Sequence, residues 1–141
     1  GITIFEDIKK RGKDLIDRGD LILLTVESSI LVNALQRSAA VVVQKSLREG
    51  FGLTVTEGLW KSRPVVASNV GGIPLQIQDG EDGYLVEPSD NDGFADRIVE
   101  ILEHPSHAVE LGAKGRETVR NRFLVTRILS DYLDLFNDLR A

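Results

Sequence analysis

The chain contains no cysteine and no methionine. Without cysteine it can form neither a disulfide framework nor a thiolate metal site, which fits the reducing conditions of the cytoplasm, where we place the protein. No apolar run approaches the roughly 20 residues that span a membrane. Residues 1–14 mix charged and apolar side chains, unlike a signal peptide. We therefore expect no membrane partner.

Basic charge is also scarce. Lysine and arginine number 17 against 22 acidic residues, a formal net charge of -5. Nucleic acids and anionic membranes attract a basic face, so we expect no nucleic-acid partner. Two histidines, His104 and His107, flank Pro105, but no metal-ligand set accompanies them. We predict no metal and no bound cofactor.

The length of 141 residues, with 42% hydrophobic and 28% charged residues, suits one globular domain. Continuous apolar runs separated by helical patterns predict parallel strands. The expected fold is therefore α/β, a Rossmann-like parallel sheet flanked by helices. The predicted strands are Leu21–Val26, Val41–Gln44, Val65–Ala67 and Tyr84–Val86. Helices are predicted over 4–16 with an interruption at Gly12, from Ser28 or Ser29 to Ser38, from Leu53 to before Pro64, around 94–102, from Pro105, and over 128–139.

One stretch, Glu49–Glu57 with the sequence EGFGLTVTE, joins a strand to a helix through a glycine-containing loop. Such a junction presents backbone amides to a phosphate, here those of Gly52, Leu53 and Thr54. Glu57 lies one turn inside the helix, and helical side chains lean back toward the N-terminus. Its carboxylate is therefore placed to accept hydrogen bonds from a ribose diol. Glu49 precedes the turn and is placed to bind a group on the other side of the phosphate.

Both glutamates also have simpler interpretations. Thr54 and Glu57 fit a capping box, in which the glutamate only satisfies an amide at the helix start. Glu49 could be a solvated loop acid paired with Lys45 or Arg48, an arrangement that contributes little to stability. The same two cations are alternative phosphate ligands.

The glycines of the loop leave another alternative open. Gly50 and Gly52 match the start of a dinucleotide-binding fingerprint, but Val55 stands where the third glycine belongs. A non-catalytic nucleotide- or NAD-binding regulatory module of Rossmann type is therefore the alternative function.

EGFGLTVTE resembles the Glu-x7-Glu signature of the retaining glycosyltransferases of family 4, which have the two-domain GT-B fold. Downstream, the runs Val70–Pro74 and Asp79–Val86 resemble the family's glycine-rich loop and the turn and strand that follow it. The run Gly72–Ile77 is similar to the subgroup of glycosyltransferring trehalose synthases. The resemblance extends over roughly residues 20–137.

This resemblance implies that residues 1–141 are the C-terminal, donor-binding half of a GT-B enzyme. It implies an NDP-hexose donor, most readily NDP-glucose, with retaining transfer to glucose to give trehalose. Glu49, the catalytic residue of the implied site, would contact the donor sugar together with Gly50, Phe51 and Gly52, and Glu57 would bind the ribose. The sugar acceptor would bind an N-terminal domain absent from this chain. The chain opens in mid-pattern without methionine, so we expect a fragment, or removal of an initiator residue before Gly1, and a chain that is inactive alone.

Overall fold

The computed structural model describes residues 3–123 and 127–139. Within these ranges three strands form one parallel sheet in the order β1-β2-β3, and helices surround it. The predicted α/β class and parallel pairing are confirmed. The helices are α1 (Ile4–Arg11), α2 (Lys13–Asp17), α3 (Ser29–Ser38), α4 (Leu53–Trp60), α5 (Asn91–Glu103), α6 (Pro105–Phe123) and α7 (Arg127–Asp138), and the strands are β1 (Val42–Gln44), β2 (Val65–Ser68) and β3 (Tyr84–Val86).

Strand β2 is the centre of the molecule, and all four of its residues are buried. Because side chains alternate across a strand, its residues enter two different cores. Val65 and Ala67 pack with Val55 and Leu59 of α4 on one face of the sheet. Val66 packs on the opposite face with Phe94 of α5 and other residues of α5, α6 and β3. The sheet is therefore covered by helices on both faces, as a parallel sheet requires.

Local capping residues set several helix boundaries. The Ser28 hydroxyl accepts a hydrogen bond from the Leu31 amide at the start of α3, as predicted. Asp90 caps α5 by accepting from the Gly93 amide. Gly12 ends α1 and begins α2, so the interruption predicted there is also confirmed.

The prediction of a strand over Leu21–Val26 is wrong. The segment has no regular secondary structure, and the side chains of Ile22, Leu24 and Val26 are exposed by 75%, 52% and 63%. A β-strand is stabilised by pairing with a neighbour and by burial of its alternate side chains. Neither occurs here, because in the described sheet β1 pairs only with β2.

Helix α7 lies where an apolar helix was predicted, and Leu133 on it enters the core with 2% of its surface exposed. The side chain of Ile128, which the prediction placed on the apolar face, lies outside the described residues. No helix in the two described ranges has the length and apolarity to cross a bilayer.

Candidate functional site

Two loops leave the carboxyl ends of β1 and β2. Because the strands are parallel and adjacent, these ends lie at the same edge of the sheet, where open α/β folds bind ligands. The Glu49 loop, residues 45–52, joins β1 to α4, and the Gly71 loop, residues 69–72, follows β2. All the sequence-predicted site residues except Glu57 lie in the Glu49 loop or in the first turn of α4.

The two loops touch backbone to backbone. The Gly72 amide donates a hydrogen bond to the Gly50 carbonyl oxygen at 2.6 Å. Gly71 has a φ of +56°, and a Cβ atom there would lie 1.9 Å from the Glu49 carbonyl oxygen. Only glycine tolerates both this conformation and this approach. The glycines of the Gly71 loop thus permit a close approach by the backbone of the neighbouring loop.

The carboxylate of Glu49 is held by neutral donors of its own loop. Its Oε1 accepts hydrogen bonds from Gln44 Nε2 and from Ser46 Oγ, each at 3.0 Å. Lys45 instead donates to the Pro88 carbonyl oxygen at 2.7 Å and lies over the Phe94 ring. The predicted pairing of Glu49 with Lys45 or Arg48 is therefore wrong. With one oxygen fixed, the other carboxylate oxygen is oriented for a ligand.

Helix α4 begins at Leu53 without a side-chain cap, since Gly52 at φ +83° occupies the N-cap position. The amides of Val55 and Thr56 bond to the Gly52 carbonyl oxygen, whereas those of Leu53 and Thr54 have no acceptor within the described chain. Such first-turn amides, at the positive end of the helix dipole, suit an anion. The predicted phosphate-binding amides are thus placed together and available.

Glu57 does not take part in a capping box, and that interpretation is wrong. Its carboxylate is mostly buried, with 8% of the residue exposed, and Oε2 accepts a hydrogen bond from Gln36 Nε2 at 2.9 Å. The Gln36 side-chain oxygen in turn accepts from Lys61 Nζ. A chain of hydrogen bonds therefore runs Glu57–Gln36–Lys61. Glu57 Oε1 accepts none from the residues that the structure describes, so it remains available to a hydroxyl group.

Gln76 holds the Glu49 loop through hydrogen bonds to its backbone, and the sequence assigned this residue no role. Its side chain is fully buried. Nε2 donates to the carbonyl oxygens of Phe51 and Gly52, and Oε1 accepts from Thr56 Oγ1. One amide thus joins the loop to α4. The available signal was a polar residue in the apolar run Ile73–Ile77, where a buried side chain needs partners.

Replacing Gln76 with leucine should lower the free energy of unfolding. The change removes all three hydrogen bonds of this amide and leaves the Phe51 carbonyl oxygen without its donor, and an unsatisfied group of this kind costs about 1–3 kcal/mol. We expect a loss of about 1–3 kcal/mol in urea unfolding. Gln78, two positions on, is exposed, so Gln78→Leu is the matched control and should change stability little. Equal stability of the two variants would contradict the supporting role of Gln76.

A second polar cluster joins β3, α5 and α6 and contains none of the predicted site residues. The Tyr84 hydroxyl donates to Glu100 Oε1 at 3.2 Å and lies 2.9 Å from His107 Nε2, while Arg97 lies over the Tyr84 ring. Burial, and then the Glu100 charge, raises the pKa of Tyr84. The hydrogen bond from Arg97 lowers the pKa of Glu100. These contacts connect β3 with α5 and α6, which is a structural role.

Solved structures similar to this helix-flanked parallel sheet are found among the GT-B glycosyltransferases, and the fold is of that class. The sequence profile described as "Glycosyl transferases group 1" matches residues 19–118. The chain belongs to this family.

Relatives of the chain include trehalose synthases. The chain is 51% identical over 116 residues to the trehalose synthase of Rubrobacter xylanophilus. The aligned residues cover 82% of this chain and 27% of the synthase. The chain is 48% identical over 108 residues to that of Pyrococcus horikoshii, covering 77% of this chain and 26% of the synthase. The chain thus spans about a quarter of the length of these relatives. The predicted resemblance to trehalose synthases is confirmed.

Among solved structures, a variant of TarM from S. aureus in complex with fondaparinux, alpha-GlcNAc-glycerol and UDP matches with a TM-score of 0.72 and 29% identity. The match covers 92% of this chain and 27% of the TarM chain. The fold is therefore that of one part of a longer glycosyltransferase. The individual roles of Glu49, Glu57 and the loop amides stay predictions.

Proposed function

We propose that this domain binds a nucleoside diphosphate hexose, most readily NDP-glucose, as the donor for retaining glycosyl transfer. In the longer protein the acceptor is glucose, bound by an N-terminal domain, and the product is trehalose. Trehalose synthases among the relatives support the hexose and the product. The UDP-bound TarM variant supports a nucleotide in this fold.

One observation carries the proposal: the fixed carboxylate of Glu49 lies four residues before the first unpartnered amide, that of Leu53, at the start of α4. The amides of Leu53 and Thr54 suit the distal phosphate of a diphosphate. The hexose is bonded to that phosphate, so a side chain that hydrogen-bonds the sugar hydroxyls must lie immediately beside it. Glu49, held by Gln44 and Ser46, supplies an oriented acceptor there. Glu57 Oε1, further along α4, supplies an acceptor for the ribose at the other end of the diphosphate.

In this proposal the groups have distinct tasks. The amides stabilise the charge that develops on the departing diphosphate, since their dipoles are already oriented. Glu49 positions the sugar through its hydroxyl groups. Positioning of this kind contributes to the rate by holding the anomeric carbon near the acceptor hydroxyl, which the other domain presents.

Glu49→Ala should separate sugar recognition from nucleotide recognition. We expect affinity for the NDP-sugar to fall roughly tenfold or more, the loss of a hydrogen bond to a charged group, while affinity for the NDP stays nearly unchanged. Titration calorimetry with UDP-, ADP- and GDP-glucose, the corresponding diphosphates and NAD measures this. The exposed Glu81 provides the control variant Glu81→Ala.

Three outcomes would contradict the proposal. Equal losses for sugar nucleotide and diphosphate would give Glu49 a role in loop structure only. Binding of NAD in preference to every sugar nucleotide would favour the dinucleotide-binding module. No binding of any nucleotide would remove the function altogether.

A further inference from the structure

A cavity of about 590 Å³ lies away from the two loops and carries an excess of positive charge. Among the residues that the structure describes, no acidic residue lines it, although the chain as a whole has a formal charge of -5. Four of the six described lining residues are cationic. The lining residues are Arg37, Trp60, Lys61, Arg63, Arg116 and Asn137.

The cavity is at the opposite edge of the sheet from the Glu49 and Gly71 loops. Arg37 is near the end of α3, which leads into β1, and Lys61 and Arg63 are in the connection that leads from α4 into β2. These residues therefore precede the strands, whereas the two loops follow them. Because β1 and β2 are parallel, the cavity belongs to their amino ends and is a separate site.

The arginines of this cavity have more donors than the protein satisfies. The exposed side chain of Arg37 makes no hydrogen bond or ion pair with any residue in 3–123 or 127–139. Arg63 Nε is buried without a partner, and its Nη1 reaches the Ala39 carbonyl oxygen only at 3.4 Å. Arg116 uses Nη1 on the Trp60 carbonyl oxygen at 3.0 Å. Hydrogen bonds to carbonyl oxygens at helix C-termini thus account for one N–H group of Arg63 and one of Arg116. They account for no N–H group of Arg37.

Arg63 Nε is buried without an acceptor, which is costly, while the exposed side chains of Arg37 and Arg116 line the same cavity. A ligand that brings several acceptor oxygens would satisfy all three. Guanidinium groups match the oxygens of a phosphate in paired hydrogen bonds, and an ammonium adds a point charge. A phosphate offers more acceptors than a carboxylate to a site with three guanidinium groups. The volume is also in the range of ~300–1,000 Å³ that small-molecule sites occupy, so the cavity has room for an organic group attached to the phosphate. The Arg116 guanidinium already lies over the Trp60 ring.

We propose that this cavity binds a phosphate group, either as the free ion or as the ester of a small hydroxylated molecule. The site is separate from the nucleotide site proposed above, although the hydrogen-bond chain Glu57–Gln36–Lys61 connects the two. It makes the domain a binder of two phosphate-containing ligands, one at each edge of its sheet.

Trp60, the single tryptophan of the chain, lines the cavity and reports on its occupancy by fluorescence. The chain is titrated at constant ionic strength with inorganic phosphate, with glucose 6-phosphate, and with glucose. We expect phosphate or its ester to change the Trp60 emission saturably and glucose to leave it unchanged. Tighter binding of the ester identifies an organic phosphate as the ligand, and equal binding identifies the phosphate ion.

Arg37→Gln tests the location, because Arg37 has no partner whose loss would disturb the fold. It should weaken phosphate binding about 10- to 150-fold, as expected for one charged hydrogen bond. Arg18→Gln is the control, since Arg18 pairs with Asp20 on the surface outside the cavity, and it should bind phosphate as the original chain does. Arg116→Gln, with its fold checked by circular dichroism, is a second variant that tests the same site.

The proposal is overturned if neither phosphate nor the ester binds with a Kd below about 10 mM, which corresponds to a binding free energy of roughly 3 kcal/mol. It is also overturned if Arg37→Gln and Arg18→Gln have equal effects, or if binding survives Arg37→Gln unchanged, which would place the phosphate at the amides of α4.

Discussion

Replacing Gly71 with alanine is expected to lower the free energy of unfolding by about 2–5 kcal/mol and to abolish measurable NDP-sugar binding. Two costs add. An alanine at φ +56° is in the left-handed region, which costs about 1–2 kcal/mol. Its Cβ would also lie 1.9 Å from the Glu49 carbonyl oxygen, an overlap that forces a backbone shift costing about 1–3 kcal/mol. The loop that must move is the one that carries Glu49, so ligand binding and stability are lost together.

The chain contains a close control for this prediction. Gly80 has a φ of +82°, but a Cβ there would meet nothing within 4 Å. Gly80→Ala should therefore show the conformational cost alone and leave nucleotide binding intact. Urea unfolding and calorimetric titration of both variants measure the difference. If the two variants lose the same stability and both keep the ligand, the backbone contact between the loops is not what the structure indicates.

Glu57→Gln is expected to weaken nucleoside diphosphate binding about 10- to 150-fold, the equivalent of roughly 1.5–3 kcal/mol for hydrogen bonds to a charged group. The fold should tolerate this change. A glutamine side chain has the same shape, and its amide oxygen can still accept from Gln36 Nε2, as Glu57 Oε2 does. A loss of affinity with unchanged unfolding would therefore report on the ligand contact.

A 2′-deoxy nucleoside diphosphate completes a double-mutant cycle with this variant. In the original chain the deoxy form should bind more weakly than the ribo form. In the Glu57→Gln variant the difference should nearly disappear, because the removed hydroxyl and the removed charge are the two partners of one contact. Equal affinities for both forms in the original chain would leave Glu57 as a structural partner of Gln36 and nothing more.

The order of helices and strands follows from signals within a few residues of each boundary. Ser28 and Asp90 cap their helices through their own side chains, and Pro105 begins α6 where the preceding helix has ended. The fully buried strand β2 is recognisable as a continuous apolar run. The same rule failed for Leu21–Val26. An apolar run shows that a segment could pair as a strand, but it does not show that a neighbouring strand pairs with it.

The candidate site was predictable in position but not in its contacts. The loop between β1 and α4 is local, so glycines and glutamates within nine residues indicate its chemistry. The contacts of Gln36 with Glu57 and of Gln76 with the Phe51 carbonyl oxygen join residues 21 and 25 positions apart. Such pairs depend on how α3 and the turn after β2 pack against α4, and no periodicity or spacing in the sequence encodes them.

The chain of hydrogen bonds from Glu57 through Gln36 to Lys61 also limits which amino acids can be inherited at these three positions. The carboxylate on one side and the ammonium on the other allow only one orientation of the Gln36 amide, nitrogen toward Glu57 and oxygen toward Lys61. A glutamate at position 36 would place two carboxylates against each other, and a lysine there would do the same with two ammonium groups. The three positions are therefore coupled. Glu57→Gln keeps an acceptor toward Gln36 and is tolerated, whereas an exchange that reverses donor and acceptor at one position requires compensating exchanges at the others.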